Sequence, residues 1–255
     1  MDFAAFKTGV RERFALDLDS YKEGQLKRRL DSFLLRKKTD YATYFRQLVA
    51  DRSEFRKFVD YLTINVSEFF RDVHLFGVLE KEIVPRLLAR RRTLRVWSAA
   101  CANGAEPYSL AIILEELSPG RRHRILATDI DQPVLEAAQQ AVYGRESLRN
   151  VTPQRLARFF REAGDGRYRL TDEIAKRVEF RQHNLLKDPF ETDFDLIACR
   201  NVLIYFKREA QDDLFRKFSR SLNPGGVLFI GGSEMIFNYR ELGLERIQSC
   251  LYTRI

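Results

Sequence analysis

Apolar positions in the N-terminal part of the chain recur every three or four residues, the spacing of one helix face. Phe3, Phe6, Val10 and Phe14 make the first stripe, and Leu26, Leu30, Phe33 and Leu34 the second. Asp19 and Ser20 stand before the second stripe and suit the role of its caps. Tyr41, Tyr44, Phe45, Leu48 and Val49 mark a third helix, and Phe55, Phe58, Val59 and Leu62 a fourth. No strand pattern interrupts residues 1–72, which predicts a helical domain whose stripes are core. A longer stripe of Phe76, Leu79, Ile83, Val84 and Leu87 predicts a helix from Val73 to about Arg90, with residues 73–92 as a linker.

After Arg90-Arg91-Arg92 the texture changes. Leu94–Ala99, Arg124–Asp129, Phe194–Cys199 and Val227–Gly231 read as short strands. Between and after them lie helical patterns at Pro107–Leu117, Gln132–Val142 and Arg208–Leu222. Asn223-Pro224-Gly225-Gly226 predicts a turn before the strand at Val227. Strands alternating with helices predict an α/β domain over residues 93–255, with a doubly wound, mostly parallel sheet. Leu244–Ile247 and Leu251–Ile255 are short enough to finish it as an antiparallel pair. One stretch, about 144–177, breaks the alternation with a short helix at Pro153–Phe160 and a Gly164-Asp165-Gly166 turn. It reads as a small β subdomain inserted into the frame, and such insertions are cheap and often bind partners.

Composition narrows the class. At 255 residues, 45% hydrophobic and 31% charged, the chain has the balance of a soluble globular protein. No apolar run approaches the ~20 residues that span a bilayer, so membrane insertion is not expected. The N-terminus has no signal-peptide pattern. Cys101, Cys199 and Cys250 lie far apart and histidines number 3, which predicts no disulfide framework, no metal site and a cytoplasmic setting. The net charge of +8 is concentrated between Lys22 and Lys38, where Lys22, Lys27, Arg28, Arg29, Arg36, Lys37 and Lys38 face only Glu23 and Asp31. That basic helix is a candidate docking face for an acidic partner, with an ordinary solvated surface as the alternative.

Ligands of open parallel sheets bind at the carboxyl ends of the strands. The loop Ala99-Ala100-Cys101-Ala102-Asn103-Gly104-Ala105-Glu106-Pro107 offers small residues that let a nucleoside approach the backbone, though it lacks the G-x-G-x-x-G fingerprint. Asp129, 25 residues beyond Gly104, stands where a carboxylate accepts from a ribose diol, while Asp131 suits a helix cap. Arg200 and Asn201 leave a buried strand directly, an expensive arrangement unless a site uses them. Ahead of the sheet, Asn65, Ser67 and Arg71 form a polar set beside Phe69 and Phe70; alone, that segment reads as a helix start with a surface arginine.

Taken together, LTINVSEFFRD, VWSAACANGAEPYSLA, ILATDID, HNLLKDPF and FDLIACRNVLIYF closely resemble, in order and spacing, the CheR family of chemotaxis receptor methyltransferases. The resemblance runs over essentially the whole chain. It implies a Rossmann-like methyltransferase domain that binds S-adenosyl-L-methionine, releases S-adenosyl-L-homocysteine and esterifies glutamate side chains of receptor cytoplasmic helices. It further implies that Asn65, Ser67, Arg71, Glu106, Asp129, Asn184, Leu185, Arg200 and Asn201 bind the cofactor. Glu106 would meet its methionyl part, Asp129 the ribose and Asn184 with Leu185 the adenine, while Arg200 and Asn201 would close the pocket. Arg71 and Tyr205 would sit beside the transferred methyl. Ser67 replaces a familiar threonine and keeps its hydroxyl.

A glutamate side chain, with an ordinary pKa of ~4.3, is already a nucleophile at neutral pH and requires no general base. The basic helix and the inserted subdomain would then dock a glutamate-rich receptor helix. Rival expectations are a methyltransferase for another acceptor or a non-enzymatic cofactor-binding module. Nucleic acid is the less expected substrate, because RNVLIYF lacks the Asn/Asp-Pro-Pro-aromatic pattern of amino-group acceptors.

Overall fold

The computed structural model describes residues 1–63 and 67–255. Asn65, one of the expected cofactor residues, lies outside the described residues. The helical part comprises α1 (Phe3–Phe14), α2 (Glu23–Arg36), α3 (Tyr41–Ala50) and α4 (Arg52–Thr63). Its core is built from the expected stripes, with Phe6 packed edge-on against Phe45 and Phe58. The caps of α2 differ from expectation. Lys22 holds the N-cap position without a side-chain bond, and Asp19 instead pairs with Lys7 at 2.8 Å and Arg11 at 2.9 Å. An acid with two cations from α1 within reach gains more there than at one helix N-terminus.

The linker helix is continuous but changes pitch, from α5 (Val73–Val78) through a π turn at Leu79–Ile83 to α6 (Val84–Arg90). There follow β1 (Arg95–Ala99), α7 (Ala105–Leu117), β2 (Arg124–Asp129) and α8 (Gln132–Gln140). The insertion contributes β3 (Val142–Tyr143), α9 (Pro153–Phe159), β4 (Phe160–Glu162), β5 (Tyr168–Leu170) and α10 (Asp172–Ala175). The chain then returns through β6 (Val178–Gln182), β7 (Phe194–Cys199), α11 (Arg208–Ser221), β8 (Leu222–Ile230), β9 (Leu244–Gln248) and β10 (Leu251–Arg254).

Among the described residues the main sheet has the order β6-β2-β1-β7-β8-β10-β9. It is parallel from β6 to β8, and β10 runs antiparallel to both of its neighbours. Alternate strand residues feed opposite faces. Val96, Ala127, Leu196 and Phe229 enter one core, and Trp97, Leu126, Ile197 and Leu228 the other. The insertion folds as a separate antiparallel sheet, β3-β5-β4, with the Gly164-Asp165-Gly166 turn joining β4 to β5.

The Asn223-Pro224-Gly225-Gly226 turn lies inside a strand instead of before one. β8 begins at Leu222, and its pairing with β7 slips from Phe194–Leu222 to Leu196–Val227, so the four residues bulge outward. Asn223 Nδ2 holds the bulge against the sheet by donating 2.9 Å bonds to the Asp193 carbonyl and to Asp195 Oδ1. The edge strand β6 and the short β3 carry no strong alternation, and the periodic pattern did not reveal them.

Because the chain passes from β1 to β2 on one side and later enters β7 on the other, strand order reverses between β1 and β7. A crevice opens at that switch point, above the carboxyl ends of the strands.

Candidate functional site

The crevice holds a cleft of about 270 Å³, near the lower end of the ~300–1,000 Å³ typical of ligand sites. Ser67 and Arg71 line it from the linker side, and Ala100, Cys101, Ala102 and Glu106 from the β1–α7 loop. Asp129 and Ile130 come from the end of β2, Asn184 and Leu185 from the segment after β6, and Arg200, Asn201 and Tyr205 from the segment after β7. Every described residue expected beside the cofactor or the transferred methyl therefore lines one cavity.

Local backbone chemistry explains the β1–α7 loop. Ala100, Ala102 and Gly104 all have positive φ. At Gly104, φ is +83° and a Cβ would stand 2.9 Å from Ala138 Cβ, so only glycine closes this turn against α8. The tight turn points the Ala102 N–H at Asp129 Oδ2, 2.9 Å away, and the Asp131 N–H donates to Asp129 Oδ1 at 3.0 Å. Burial pushes the Asp129 carboxyl above its ordinary value, and the N–H groups of Asp131, Ala102 and Ile130 pull it back. Asp131 occupies the N-cap position of α8, as its spacing suggested, but its side chain makes no capping hydrogen bond.

Glu106 and Arg200 form the floor. Glu106 Oε1 accepts from the Ser98 hydroxyl at 2.8 Å, and Glu106 Oε2 lies 3.3 Å from Arg200 Nη1. Arg200 is 6% exposed, donates to the Arg71 carbonyl at 3.1 Å and pairs with Asp72 at 2.5 Å. Its guanidinium stacks over Phe229 and Phe76. Arg200 is thus the base on which Glu106 and the Arg71 segment rest. A buried cation satisfied by two acids and a carbonyl avoids the large cost of an unpaired charge.

The segment bearing Arg71 is no helix. Phe70 and Asp72, on either side of it, have φ of +51° and +63°. For a bulky residue such as phenylalanine this is a rare conformation, at a cost of ~1–3 kcal/mol. Arg71, Ser67, Asn201 and Tyr205 are half-buried, whereas Glu106, Asp129 and Arg200 are buried.

Several participants carried no sequence signal. Leu16, Tyr21 and Leu62 bring the helical domain to the cleft wall. Tyr21 and Phe206 form an antiparallel bridge, flanked by Lys22 N–H to the Tyr205 carbonyl and Lys207 N–H to the Ser20 carbonyl, both 2.8 Å. Burial, with the charge of Asp129, raises the Tyr21 hydroxyl to about 12, so it stays protonated. Burial also lowers His183, a further lining residue, below its ordinary value.

Glu234, 8% exposed and beyond the end of β8, accepts the N–H groups of Gly231 at 2.6 Å, Asn201 at 3.1 Å and Leu203 at 2.9 Å. It ties the segment from Arg200 to Tyr205 to the neighbouring strand, and Asn201 sits at φ +60° as a result. The only sequence trace of this role is a lone acid after Gly231-Gly232-Ser233.

This donor set fits S-adenosylmethionine. A buried acceptor sits at the end of β2 for a diol, Leu16, Ile130 and Leu185 offer an apolar slot for a flat ring, and the Glu106–Arg200 floor supplies both charges for an amino-acid end.

Comparison with known proteins agrees. The model of the CheR methyltransferase all-alpha domain matches residues 1–63, and that of the CheR methyltransferase SAM-binding domain matches residues 65–249. The chemotaxis protein methyltransferase of Listeria innocua is 44% identical over 255 residues, covering 99% of this chain and 97% of that protein. The one from Salmonella typhimurium is 41% identical over 219 residues, covering 81% of this chain and 74% of its own length. The chain belongs to the CheR methyltransferase family, and S-adenosylmethionine is its cofactor.

Proposed function

We propose that this protein transfers the methyl group of S-adenosylmethionine to glutamate side chains in the cytoplasmic helical regions of chemotaxis receptors. In this reading the protein works in the cytoplasm. Residues 1–72 and 73–92 serve as docking domain and linker, and residues 93–255 as the methyltransferase. One observation carries the reading: the buried Glu106, Asp129 and Arg200 line one cleft with half-buried Arg71 and Tyr205. A carboxylate acceptor needs no base, and this cleft is built to orient one.

The cofactor supplies a methyl carried on a positive sulfonium. Asp129 would accept from its ribose, Glu106 would meet its methionyl part, and Asn184 with Leu185 would flank its adenine. Arg71 grips the acceptor carboxylate by the oxygen that does not attack. A tight pair to the attacking oxygen would stabilise the ground state and slow transfer, so the contribution of Arg71 is orientation. Tyr205, which also lines the cleft, would offer an aromatic face that favours the sulfonium. Enclosure removes water from the carboxylate.

The exposed basic residues of α2 and its two ends extend the reading to docking. Lys22, Arg28 and Lys38 are exposed and make no ion pair with the described residues, whereas Lys27 pairs with Asp31 at 2.7 Å. Such a face suits a helix rich in glutamate.

The test is methyl transfer from labelled S-adenosylmethionine to a receptor cytoplasmic fragment, followed by mild alkali. Label released as volatile methanol is expected for an ester. Label that resists alkali would move the acceptor to nitrogen, and cofactor binding without transfer would leave a binding module.

A further inference from the structure

The residues just before Arg71 are held by the inserted β subdomain. Glu68 forms an ion pair with Arg149. The Phe69 N–H donates to the Ser147 carbonyl at 2.9 Å, and its ring stands edge-on to Tyr143 at 4.8 Å and to Phe160 at 5.2 Å. The Phe70 ring lies 4.4 Å beneath the Arg155 guanidinium, which is anchored by Glu116 at 2.6 Å and Glu80 at 2.8 Å. Tyr143, Ser147, Arg149, Arg155 and Phe160 all belong to β3, α9, β4 or the segments joining them. Beneath them, Ser109 on α7 accepts the Phe70 N–H at 3.0 Å in a buried bond.

These contacts converge where the backbone is strained. The left-handed residues Phe70 and Asp72 bracket Arg71, and such conformations persist only where surroundings over-determine them. Ser109 and the insertion fix the first of the two, and Arg200, through Asp72 and the Arg71 carbonyl, fixes the second. A relaxed turn would swing the guanidinium away from the acceptor.

We infer that the inserted β subdomain, through Phe69 and Phe70, acts together with Ser109 of α7 as the frame that positions Arg71, a role separate from any grip on a partner. The inference rests on the reading of Arg71 as the residue that orients the acceptor. Ser109, Phe69 and Arg155 are positioning residues, since they touch neither substrate nor cofactor.

The experiment is a double-mutant cycle in the full-length enzyme with Ser109→Ala, Phe69→Leu and Arg71→Ala, singly and paired. The readouts are kcat on a receptor fragment, affinity for S-adenosylhomocysteine and melting temperature. Ser109→Ala removes one hydroxyl and leaves the core filled, which guards against a variant that fails to fold. Ser109→Ala and Phe69→Leu should each lower kcat by about tenfold to a hundredfold. Product affinity should change by less than about threefold (~0.7 kcal/mol), and melting by less than about 4 °C. Neither should lower kcat further in the Arg71→Ala background. Losses that multiply with that of Arg71→Ala, or that follow the melting temperature, would overturn the frame. Full turnover by Arg71→Ala alone would overturn the reading of Arg71 itself, and the frame with it.

Discussion

The guanidinium of Arg29 lies 5.9 Å from the ring centre of Tyr205. It also donates to the Leu62 carbonyl at 3.0 Å and to the Tyr61 carbonyl, while the Tyr61 hydroxyl returns a 2.9 Å bond to the Arg29 carbonyl. By charge alone Arg29 belonged to the docking face of α2. Its position assigns it instead to the joint between α4 and the cleft. Arg29→Ala leaves those carbonyls without a charged donor, at a cost of ~1.5–3 kcal/mol. It should lower both melting temperature and turnover. Arg28→Glu should leave melting unchanged, weaken receptor methylation and flatten its salt dependence. Calorimetry beside a salt series separates the two.

Arg71→Ala should reduce turnover far more than cofactor affinity, because orientation of the acceptor matters at transfer and not in binding. Titration calorimetry with S-adenosylhomocysteine and initial rates on one preparation make the comparison. Equal losses in both would assign Arg71 to the cofactor.

Asp129→Asn should weaken cofactor binding by about tenfold to a hundredfold, the value of ~1.5–3 kcal/mol for bonds to a charged acceptor. The sign for stability is opposite. A carboxyl raised by burial contributes stability below its unfolded pKa, and that contribution is lost as pH rises through the folded pKa. At neutral pH the native charge costs stability, and Asp129→Asn removes that cost. It also leaves one of the Ala102 and Asp131 N–H groups without an acceptor. The net effect on the melting temperature of the cofactor-free protein should therefore be small. In the native protein, cofactor affinity should begin to fall on acidification above the usual aspartate range, as Asp129 protonates early.

Burial likewise raises Glu234, more than its backbone N–H donors lower it. Protonation blocks one acceptor oxygen, so the acid limb of kcat should lie above the ordinary ~4.3 of glutamate. The same sign rule means that Glu234 does not itself unfold the protein over that range. Glu234→Gln should lower kcat by loosening Asn201 and Tyr205, and should remove this limb from a pH–rate profile recorded beside melting curves.

Much of this was legible in the residue order. Helical stripes, alternating αβ texture and the loops after β1, β2 and β7 depend on local spacing, which a single chain displays. The roles of Glu106 and Tyr205 rested on the family resemblance alone, whereas Asp129 and Arg200 stood out as polar groups at strand ends. Asp19, β6, Glu234 and Arg29 did not, because each is defined by a partner distant in sequence. Arg29 meets Tyr61 and Leu62 across 32 and 33 residues, and Glu234 meets Asn201 across 33. Charge could count Arg29, but only packing shows which way it turns.

The backbone bridge between Tyr21 and Phe206 has a consequence for how such enzymes diverge. It fastens the start of α2 to the segment carrying Tyr205, so α2 answers to two selective pressures at once. Its inner side, with Arg29, is constrained by the shape of the cleft. Its outer side, with Arg28, carries no such tie, and in the proposed docking reading it answers to the partner instead. In that reading, partner preference and cleft shape are set on opposite sides of one helix.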